Sequence, residues 1–517
     1  MSFERSAGIL MPISSLPSAY GIGTLGKAAY DFVDFLVKAD QSYWQVLPIG
    51  PTSYGDSPYQ SFSSAAGNPY FIDLDLLAQD GLLDKKDLKG IKVDDPYYAD
   101  YGFLYETRFK LLTKAYRNGI EKYRDDFYKY AYENGSWLHN YALFMAVKGY
   151  FDMKSWLEWP DQDIRFRRPE AMERYSEMLH EEIEFYKFLQ YLFHKQYSAL
   201  RQYANNKGIK IIGDLPIYIA MDSCEIWAEP DQFQLKEADL MPSDVSGVPP
   251  DYFSKTGQLW GNPLYNWDRM KENGYRWWIE RIDRVSKYFD VIRIDHFRGF
   301  EEFWSIPYGE KTAVKGKWVK GPSSDFVNVI KNWFSNVDFI AEDLGIIDEK
   351  VTALLVESGF PGMRVLEFGM ADDGTSYHCP HNHVRNCVCY VSTHDNTPIM
   401  GWIRNAKKKD LEYARLYYGL NEEEGYNIGF IRGGMSSVCD LFICQIQDWL
   451  GLEEEATINN PGTMGNWKWR IDKKMLNDKL AKKIAKMTYS FDRGRPENKK
   501  KKNKTEKEKE NSEQSAE

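Results

Sequence analysis

Short, continuously apolar runs recur along the chain, and longer stretches with helical periodicity separate several of them. Runs of this length without polar alternation are typical of strands buried on both faces, as in a parallel sheet covered by helices. The seven clearest runs are AGILMPI (7–13), YWQVLPI (43–49), IKIIGDLPIYI (209–219), DVIRIDH (290–296), DFIAEDLG (338–345), MRVLEFG (363–369) and CVCYVSTHD (387–395). With an eighth strand near ATINNPG (456–462), the pattern predicts an α/β fold, a (β/α)8 TIM barrel.

One stretch between two runs shows the helical pattern clearly. In YRWWIERIDRVSKYF (275–289) the apolar residues Trp278, Ile282, Val285 and Phe289 fall at helical spacing, and the next run follows directly. A doubly wound open sheet is the alternative fold. That fold carries a glycine-rich phosphate loop after its first strand, but SSLPSAYGIGTLG has glycines without the GxGxxG spacing. The pattern therefore favours the barrel.

Uneven spacing between the runs predicts insertions into a discontinuous barrel over residues 1–490. Residues 76–208 hold aromatic-rich helical stretches and are too long for a barrel loop, which predicts an inserted helical subdomain. Residues 220–270 are rich in Pro, Gly and Asp, which predicts a second, loop-rich insertion. Almost no apolar residue follows Pro496, so residues 491–517 are predicted to form a disordered, charged tail.

Composition narrows the classes of function. The formal net charge of −10 disfavours nucleic acid as the main partner. No run reaches ~18 apolar residues and the N-terminus has no signal-peptide pattern, so we expect no membrane association. Six cysteines without CxxC spacing indicate free thiols in a reducing, cytoplasmic compartment, and Cys387 and Cys389 are interpreted as packing residues of an apolar strand.

The stretch DVIRIDHFRG (290–299) places charges in an otherwise apolar strand. Arg293 and Asp295 lie two residues apart and so share one side of the strand, where Arg293 should keep Asp295 ionised. Two other runs carry Glu342 and Asp395 at their carboxyl ends, where barrel active sites are built. An ionised acid beside a second acid of raised pKa predicts the paired-carboxylate chemistry of glycosidic bonds.

Other assignments of these residues remain open from the motifs alone. Magnesium-dependent enolisation also collects acids on barrel strands, but the Arg293 guanidinium would compete with the cation. His394 and its acidic neighbour resemble a metal-binding pair. Only one other histidine, His296, has a comparable strand-end position, so further metal ligands are lacking. We therefore favour a hydrogen bond from His394 to a substrate hydroxyl. Asp343 follows Glu342 directly, so it should point away as a structural residue. We expect neither a catalytic metal nor a cofactor.

Eight long and distinctive stretches lie between about residues 5 and 470. They are SSLPSAYGIGTLG, YWQVLPIGPTSYGDSPYQSFSSAAGNPYFIDL, GDLPIYIAMDS, GVPPDYFSKTGQLWGNPLYNW, VIRIDHFRGF, IAEDLG, STHDN and PGTMGNWKWR. In these stretches the chain resembles the 4-α-glucanotransferases, also called amylomaltases or disproportionating enzymes, of the α-amylase clan. The resemblance implies a retaining transfer of α-1,4-glucan segments between malto-oligosaccharides. The alternative is an α-glucan hydrolase of the same clan, and the oligomeric state stays unknown.

The resemblance also implies roles for individual residues, carried over by motif. Asp295 of RIDH corresponds to the nucleophile, Glu342 of AEDLG to the acid/base, and Asp395 of THDN to the acid that holds the sugar hydroxyls and distorts the ring. The expected substrate-binding residues are Tyr59, Asp214, Trp260, Arg293 and His394. Trp260 is expected in a loop that covers the site.

Overall fold

The fold is that of a computed structural model, which describes residues 3–499 apart from positions 92, 252, 253, 372 and 373. In this part of the chain there are twelve β-strands: β1 (Ser6–Leu10), β2 (Tyr43–Gln45), β3 (Lys210–Leu215), β4 (Asp244–Val248), β5 (Gln258–Pro263), β6 (Val291–Ile294), β7 (Glu302–Pro307), β8 (Lys317–Lys320), β9 (Asp338–Ala341), β10 (Gly362–Val365), β11 (Cys387–Tyr390) and β12 (Leu441–Gln445). Eight of these strands close into a barrel, and the other four form a separate sheet.

The barrel has the strand order β1-β12-β11-β10-β9-β6-β3-β2, and each pair of neighbours is parallel. Each of the seven apolar runs overlaps one barrel strand. The residues of β6, β11 and β12 are buried throughout, as expected where helices cover the outside of a sheet and side chains fill its centre. The predicted (β/α)8 barrel is therefore confirmed.

The eighth strand is not where the sequence analysis placed it. It is β12, with the sequence LFICQ, and it pairs with β1 and β11 to close the barrel. ATINNPG (456–462) follows as a loop without a strand, because its Asn-Asn-Pro-Gly half consists of turn-forming residues. The apolar run of β12 is only four residues long and α18 begins directly after the strand, so the sequence pattern does not separate the strand from the helix.

The helices of the described chain are α1 (Lys27–Lys38), α2 (Leu74–Gln79), α3 (Lys85–Leu88), α4 (Tyr101–Gly119), α5 (Arg124–Glu133), α6 (Gly135–Tyr150), α7 (Gln162–Arg165), α8 (Pro169–Met178), α9 (His180–Asn206), α10 (Cys224–Ala228), α11 (Trp267–Glu272), α12 (Arg276–Ser286), α13 (Ser323–Trp333), α14 (Glu349–Ser358), α15 (Ile399–Asn405), α16 (Lys408–Tyr418), α17 (Tyr426–Ser436), α18 (Ile446–Leu450) and α19 (Asp478–Ser490). None of them is both long enough and apolar enough to cross a membrane.

Helix α12 shows how the helical layer packs on the barrel. Its predicted apolar stripe is buried, and Phe289 continues that stripe beyond the end of the helix. A Cβ atom at Gly213 of β3 would lie 1.9 Å from the Phe289 ring, so only glycine allows this close approach. The contact fixes the backbone of β3 directly before Asp214.

The predicted helical insertion contains most of α2 and all of α3 to α9. The aromatic rings of Phe127, Phe188 and Tyr191 pack edge to face within it. Gln190 and Gln196 of α9 bond the backbone of Gly67 and Asp73, in the segment that follows β2. The buried residues of these helices are continuous with the barrel core rather than forming a core of their own.

The second sheet differs from the loop-rich insertion predicted at 220–270. It has the antiparallel order β5-β4-β7-β8, so strands from that range pair with strands that lie beyond β6. Val245, Ile306 and Ala313 form a small apolar cluster of its own. The composition indicated loops because these strands are short and contain glycine or proline, and the β7 partner of β4 lies about 60 residues further along the chain.

The predicted start of the disordered tail at 491 is wrong, because the chain stays packed to residue 499. The Arg493 side chain is fully buried and donates hydrogen bonds to the carbonyls of Met435, Ser6, Ser437 and Cys439. A guanidinium has five donors, so one buried arginine can satisfy several carbonyl groups that would otherwise lack partners. The rest of the predicted tail, 500–517, lies outside the described residues.

Candidate active site

The carboxyl ends of four barrel strands bring acidic side chains to one mouth of the barrel. Asp214 is near the end of β3, Asp295 and Glu342 directly follow β6 and β9, and Asp395 lies beyond β11. The charges of the other three carboxyl groups all act on Asp295. The structure thus brings together four acids that the sequence analysis singled out.

Arg293 is the cation at the centre of this group. Its Nη1 atom donates to Asp214 Oδ2 at 2.6 Å and to Asp295 Oδ1 at 3.1 Å. Burial raises the pKa of Asp295 well above its usual value, and the neighbouring acids add to this rise while Arg293 opposes it. The expectation that Arg293 keeps Asp295 ionised is therefore incomplete, because the guanidinium is shared and its shorter contact is with Asp214.

Glu342 is held by backbone amides rather than by a cation. Its Oε2 accepts a hydrogen bond from the His296 amide and its Oε1 accepts one from the Leu344 amide, both at 2.7 Å. His296 has a φ of 49°, and this left-handed turn directly after Asp295 aims its N–H at Glu342. Burial raises the pKa of Glu342, although Arg293 and the two amides oppose the rise. A raised pKa is what a proton-donating carboxyl group requires.

Tyr59, in the loop after β2, links Asp214 to His394. Its hydroxyl donates to Asp214 Oδ2 at 2.7 Å and also lies 2.8 Å from His394 Nε2. Burial lowers the pKa of His394, so its ring is neutral near pH 7. Because the Tyr59 proton is already donated to Asp214, we assign the single ring proton to Nε2, which donates to the Tyr59 oxygen.

The ring of Tyr59 is also packed rather than free. It lies parallel to the His394 ring, with centroids 5.6 Å apart and 4° between the planes, and the Trp467 ring lies at the same distance. The three rings form one wall of the site. Tyr59 is half-buried, so part of this wall remains accessible.

Asp395 is the most exposed of the four acids, with 41% of its side chain accessible. Asn459 Nδ2 donates to its Oδ1 at 2.6 Å, and His394 Nε2 lies 3.3 Å from its Oδ2. The Asn459 amide also bonds the His394 carbonyl. Asn459 belongs to ATINNPG, so the segment mistaken for a strand is a loop of the site.

Trp260 lies on strand β5 and not in a loop as expected. Its half-buried ring meets the His296 ring edge to face, with centroids 4.8 Å apart, and lies 6.1 Å from the ring of Tyr218. His296 directly follows Asp295, so the second sheet reaches the mouth of the barrel through this contact. A rigid strand therefore positions Trp260 beside the acids.

Asp343 points away from the site. Its carboxylate pairs with Arg364 at 2.9 Å and accepts the Met363 amide. Sequence reasoning missed Asn459 and Trp467 altogether. The sequence signal for both residues was weak. Asn459 lies in an amide-rich turn, and Trp467 lies in the stretch PGTMGNWKWR, which carried only the family resemblance.

The family profile described as 4-alpha-glucanotransferase matches residues 11–476 of this chain, which include every residue of the site. The chain belongs to the 4-alpha-glucanotransferase family. The 4-alpha-glucanotransferase of Clostridium butyricum is 49% identical over 486 residues, which is 93% of this chain and 100% of that one. The enzyme of Streptococcus pneumoniae TIGR4 is 45% identical, over 95% of this chain and 98% of the relative.

A solved structure agrees with this assignment. The amylomaltase from Streptococcus agalactiae in complex with acarbose superposes with a TM-score of 0.93 at 42% identity, covering 95% of this chain and 100% of that chain. Amylomaltase from Corynebacterium glutamicum, at 18% identity and a TM-score of 0.75, shares the fold. The resemblance inferred from the motifs is confirmed, and the chain is an enzyme of the 4-alpha-glucanotransferase class.

Proposed function

We propose that this chain moves α-1,4-glucan segments from one malto-oligosaccharide to another by a retaining double displacement. Asp295 attacks the anomeric carbon while Glu342 protonates the leaving oxygen, and a covalent glycosyl-enzyme forms. Glu342 then takes the proton from the 4-hydroxyl of an acceptor glucan, which attacks the intermediate. The convergence of Asp295, Glu342 and Asp395 at one mouth of the barrel, where the charges of the other two act on Asp295 and Arg293 bonds it, carries this proposal.

Electrostatic coupling between Asp295 and Glu342 supports the change of role between the two steps. In the free enzyme each of the two carboxyl groups raises the pKa of the other, which favours a state in which the pair holds one proton. Formation of the ester removes the negative charge of Asp295. The pKa of Glu342 then falls, and the same group becomes the base of the second step.

The remaining residues of the site fit substrate binding. Asp395 is exposed enough to reach sugar hydroxyls, and Asn459 holds one of its oxygens while the other stays near His394. The buried Oδ1 atom of Asp214 has no hydrogen-bond partner among the described residues, which suits an acceptor for a sugar hydroxyl. The wall formed by the rings of Tyr59, His394 and Trp467 gives an apolar face of the kind that packs on pyranose rings.

Transfer rather than hydrolysis requires that water is kept from the glycosyl-enzyme while a sugar is admitted. Trp260 and the second sheet stand beside Asp295, which fits that requirement. The relatives are named as transferases, so a hydrolase is the less favoured candidate. We also place the enzyme in the cytoplasm, since the six cysteines, all within the described residues, form no disulfide bond.

Product analysis on maltotriose tests the reaction. A transferase gives glucose together with oligosaccharides longer than maltotriose, whereas a hydrolase gives only glucose and maltose. Retention predicts α-configured products and Asp295 and Glu342 carboxyl groups ~5–5.5 Å apart in the closed site. Mostly short products, or β-configured products seen by NMR before mutarotation, would contradict the proposal.

Amide substitutions test the residues. Asp295→Asn, Glu342→Gln and Asp395→Asn should each lower kcat by orders of magnitude while the fold survives, because each acts in the transition state. Asp290→Asn is the matched control, since this acid lies directly before β6, at the other end of that strand from Asp295, and bonds Arg201. The control should change Tm rather than turnover per folded molecule. Near-normal turnover in any of the first three variants removes that residue from the mechanism.

A further inference from the structure

Three cysteines and one histidine meet at the end of the barrel opposite to the active site. Cys387 opens strand β11, Cys389 lies two residues further on, and Cys439 comes shortly before β12. His383 is in the loop before β11. All four residues are buried, with at most 7% of any of them exposed.

The strand geometry explains why these side chains share one space. The Tyr390 hydroxyl bonds Gln45 of β2 through the barrel interior, so Tyr390 points inward. Side chains alternate along a strand, and Cys387 and Cys389 therefore point outward, between the barrel and the helices. The interpretation of these two cysteines as simple packing residues is incomplete, because that outer space also contains Cys439 and His383.

The potential ligand atoms converge closely. Cys439 Sγ lies 2.7 Å from Cys387 Sγ and 3.1 Å from His383 Nδ1. The ligand atoms of His383, Cys389 and Cys439 all lie within 4.8 Å of one another. Among the described residues, this is the one group of His, Cys, Asp and Glu with a ligand spacing suited to a metal ion.

The tautomer of His383 is a second observation, independent of the ligand spacing, that points to a metal site. Its Nε2 atom lies 2.9 Å from the His378 carbonyl, and a carbonyl only accepts, so Nε2 carries the proton. The lone pair of Nδ1 therefore points toward Cys439 Sγ. Metal-binding histidines are oriented in this way, with the other ring N–H donated to a carbonyl or carboxylate.

We propose that His383, Cys389 and Cys439 bind a structural zinc ion, with Cys387 as the fourth ligand. Three thiolates and one imidazole are a ligand set that selects zinc in a tetrahedral site. On binding, each thiol gives its proton to solvent and each sulfur forms one bond to the metal. The hydroxyl of Ser437, 2.7 Å from His383 Nδ1, is the group that the ion replaces.

The change needed in the distance between Cys387 and Cys439 is small. With Zn–S bonds of about 2.3 Å and tetrahedral angles, two ligand sulfurs lie about 3.8 Å apart. The Sγ atoms of Cys387 and Cys439 would each shift by about 0.5 Å from their present separation. Three thiolates around Zn²⁺ leave one net negative charge, and the Arg493 guanidinium, which donates to the Cys439 carbonyl at 2.9 Å, is a nearby cation.

Such an ion would tie the seam of β11 and β12 to the loop that precedes β11. It would act on stability and not on the reaction, because the acids lie at the other mouth of the barrel. The competing interpretation is a disulfide between Cys387 and Cys439, in which two thiols lose two protons and two electrons to an oxidant. Metal content and thiol count distinguish the two.

The test uses the full chain, purified without a histidine tag from cells grown with added zinc. Mass spectrometry of the metal content should give about one zinc per chain. After denaturation in chelator without reductant, all six cysteines should react with a thiol reagent. Less than about 0.1 zinc per chain would overturn the proposal, and so would four reactive thiols that become six on reduction.

Matched cysteine variants locate the ion. Cys439→Ser should lose at least about nine-tenths of the bound zinc and should lower Tm. Cys224→Ser is the control, since Cys224 is also buried but lies in α10, outside the cluster. It should keep the zinc content of the wild type. Full zinc content in soluble Cys439→Ser, or an equal loss in the control, would refute the assignment.

Discussion

Removing the Tyr59 hydroxyl is the sharpest test of how the substrate-binding wall acts. Tyr59→Phe keeps a ring that lies parallel to His394 and packs against Trp467. It removes the bond to Asp214 Oδ2 at 2.7 Å and the contact with His394 Nε2 at 2.8 Å. The variant therefore separates the hydroxyl from the ring.

The expected loss of kcat/KM follows from the charge of Asp214, which accepts the hydrogen bond of the Tyr59 hydroxyl. A hydrogen bond to a charged group contributes about 1.5–3 kcal/mol, and 1.4 kcal/mol corresponds to a factor of ten. Tyr59→Phe should then lower kcat/KM on maltotriose by about 10- to 100-fold, because Asp214 and His394 lose their fixed positions. Tyr59→Ala also removes the ring contacts, each about 0.5–1.5 kcal/mol, and should cost about a further tenfold.

The assay is glucose release from maltotriose with Tm measured on the same samples. Tyr203→Phe is the matched control, because the Tyr203 hydroxyl also donates to an aspartate, Asp34 at 2.8 Å, and its ring packs on Tyr30. The control should lose stability but not turnover. A Tyr59→Phe enzyme within about twofold of the wild type would refute the role of the hydroxyl. A Tyr59→Ala enzyme that melts early but turns over normally would show that the ring only packs.

Three further predictions concern the acids and the end of the chain. The pH profile of kcat/KM should be bell-shaped, falling at low pH as Asp295 gains a proton and at high pH as Glu342 loses one. Because burial raises both pKa values, the acid limb should lie above the ~4 of an exposed carboxyl group, and a flat profile from pH 4 to 9 would contradict this. Asn459→Ala removes the hydrogen bond to one oxygen of Asp395, so it should raise KM while leaving Tm nearly unchanged. Kinetics and melting measured on one sample check this. A chain ending at residue 490 should melt earlier than one ending at 499, because only the longer chain keeps Arg493 in its buried site, and equal Tm values would contradict that.

The parts of the fold that the sequence predicted are those with a local signal. Seven barrel strands are apolar runs bounded by polar residues, and the stripe of α12 has helical spacing. Strand β12 was not predicted because its apolar run is only four residues long and α18 follows the strand directly, so periodicity cannot separate strand from helix. The second sheet escaped because its pairing joins β4 to β7, and cross-strand partners are not encoded in either segment alone.

The site shows the same division. Asp295 and Glu342 were found because each directly follows a barrel strand, and that position has a fixed meaning in this fold. Asn459 bonds Asp395 across 64 residues of chain, and no spacing rule connects them. The cysteine cluster is similar, since Cys387 and Cys439 are 52 residues apart and share no motif. Contacts made by loops depend on tertiary packing, which the local sequence pattern does not predict.

The charges at the mouth of the barrel favour a coupled pair of acids over two independent ones. The Arg293 guanidinium bonds Asp214 and Asp295 and acts on Glu342 through its charge, and its shortest contact is with Asp214, which Tyr59 also bonds. Asp395 is exposed to solvent and held by an amide, so its charge is hydrated. The excess negative charge therefore falls on Asp295 and Glu342, whose pKa values are both raised, so the pair holds one proton most favourably. One ionised and one protonated carboxyl group are what a nucleophile and its acid partner require, so the position of Arg293 beside Asp214 helps to set the chemistry of the other two.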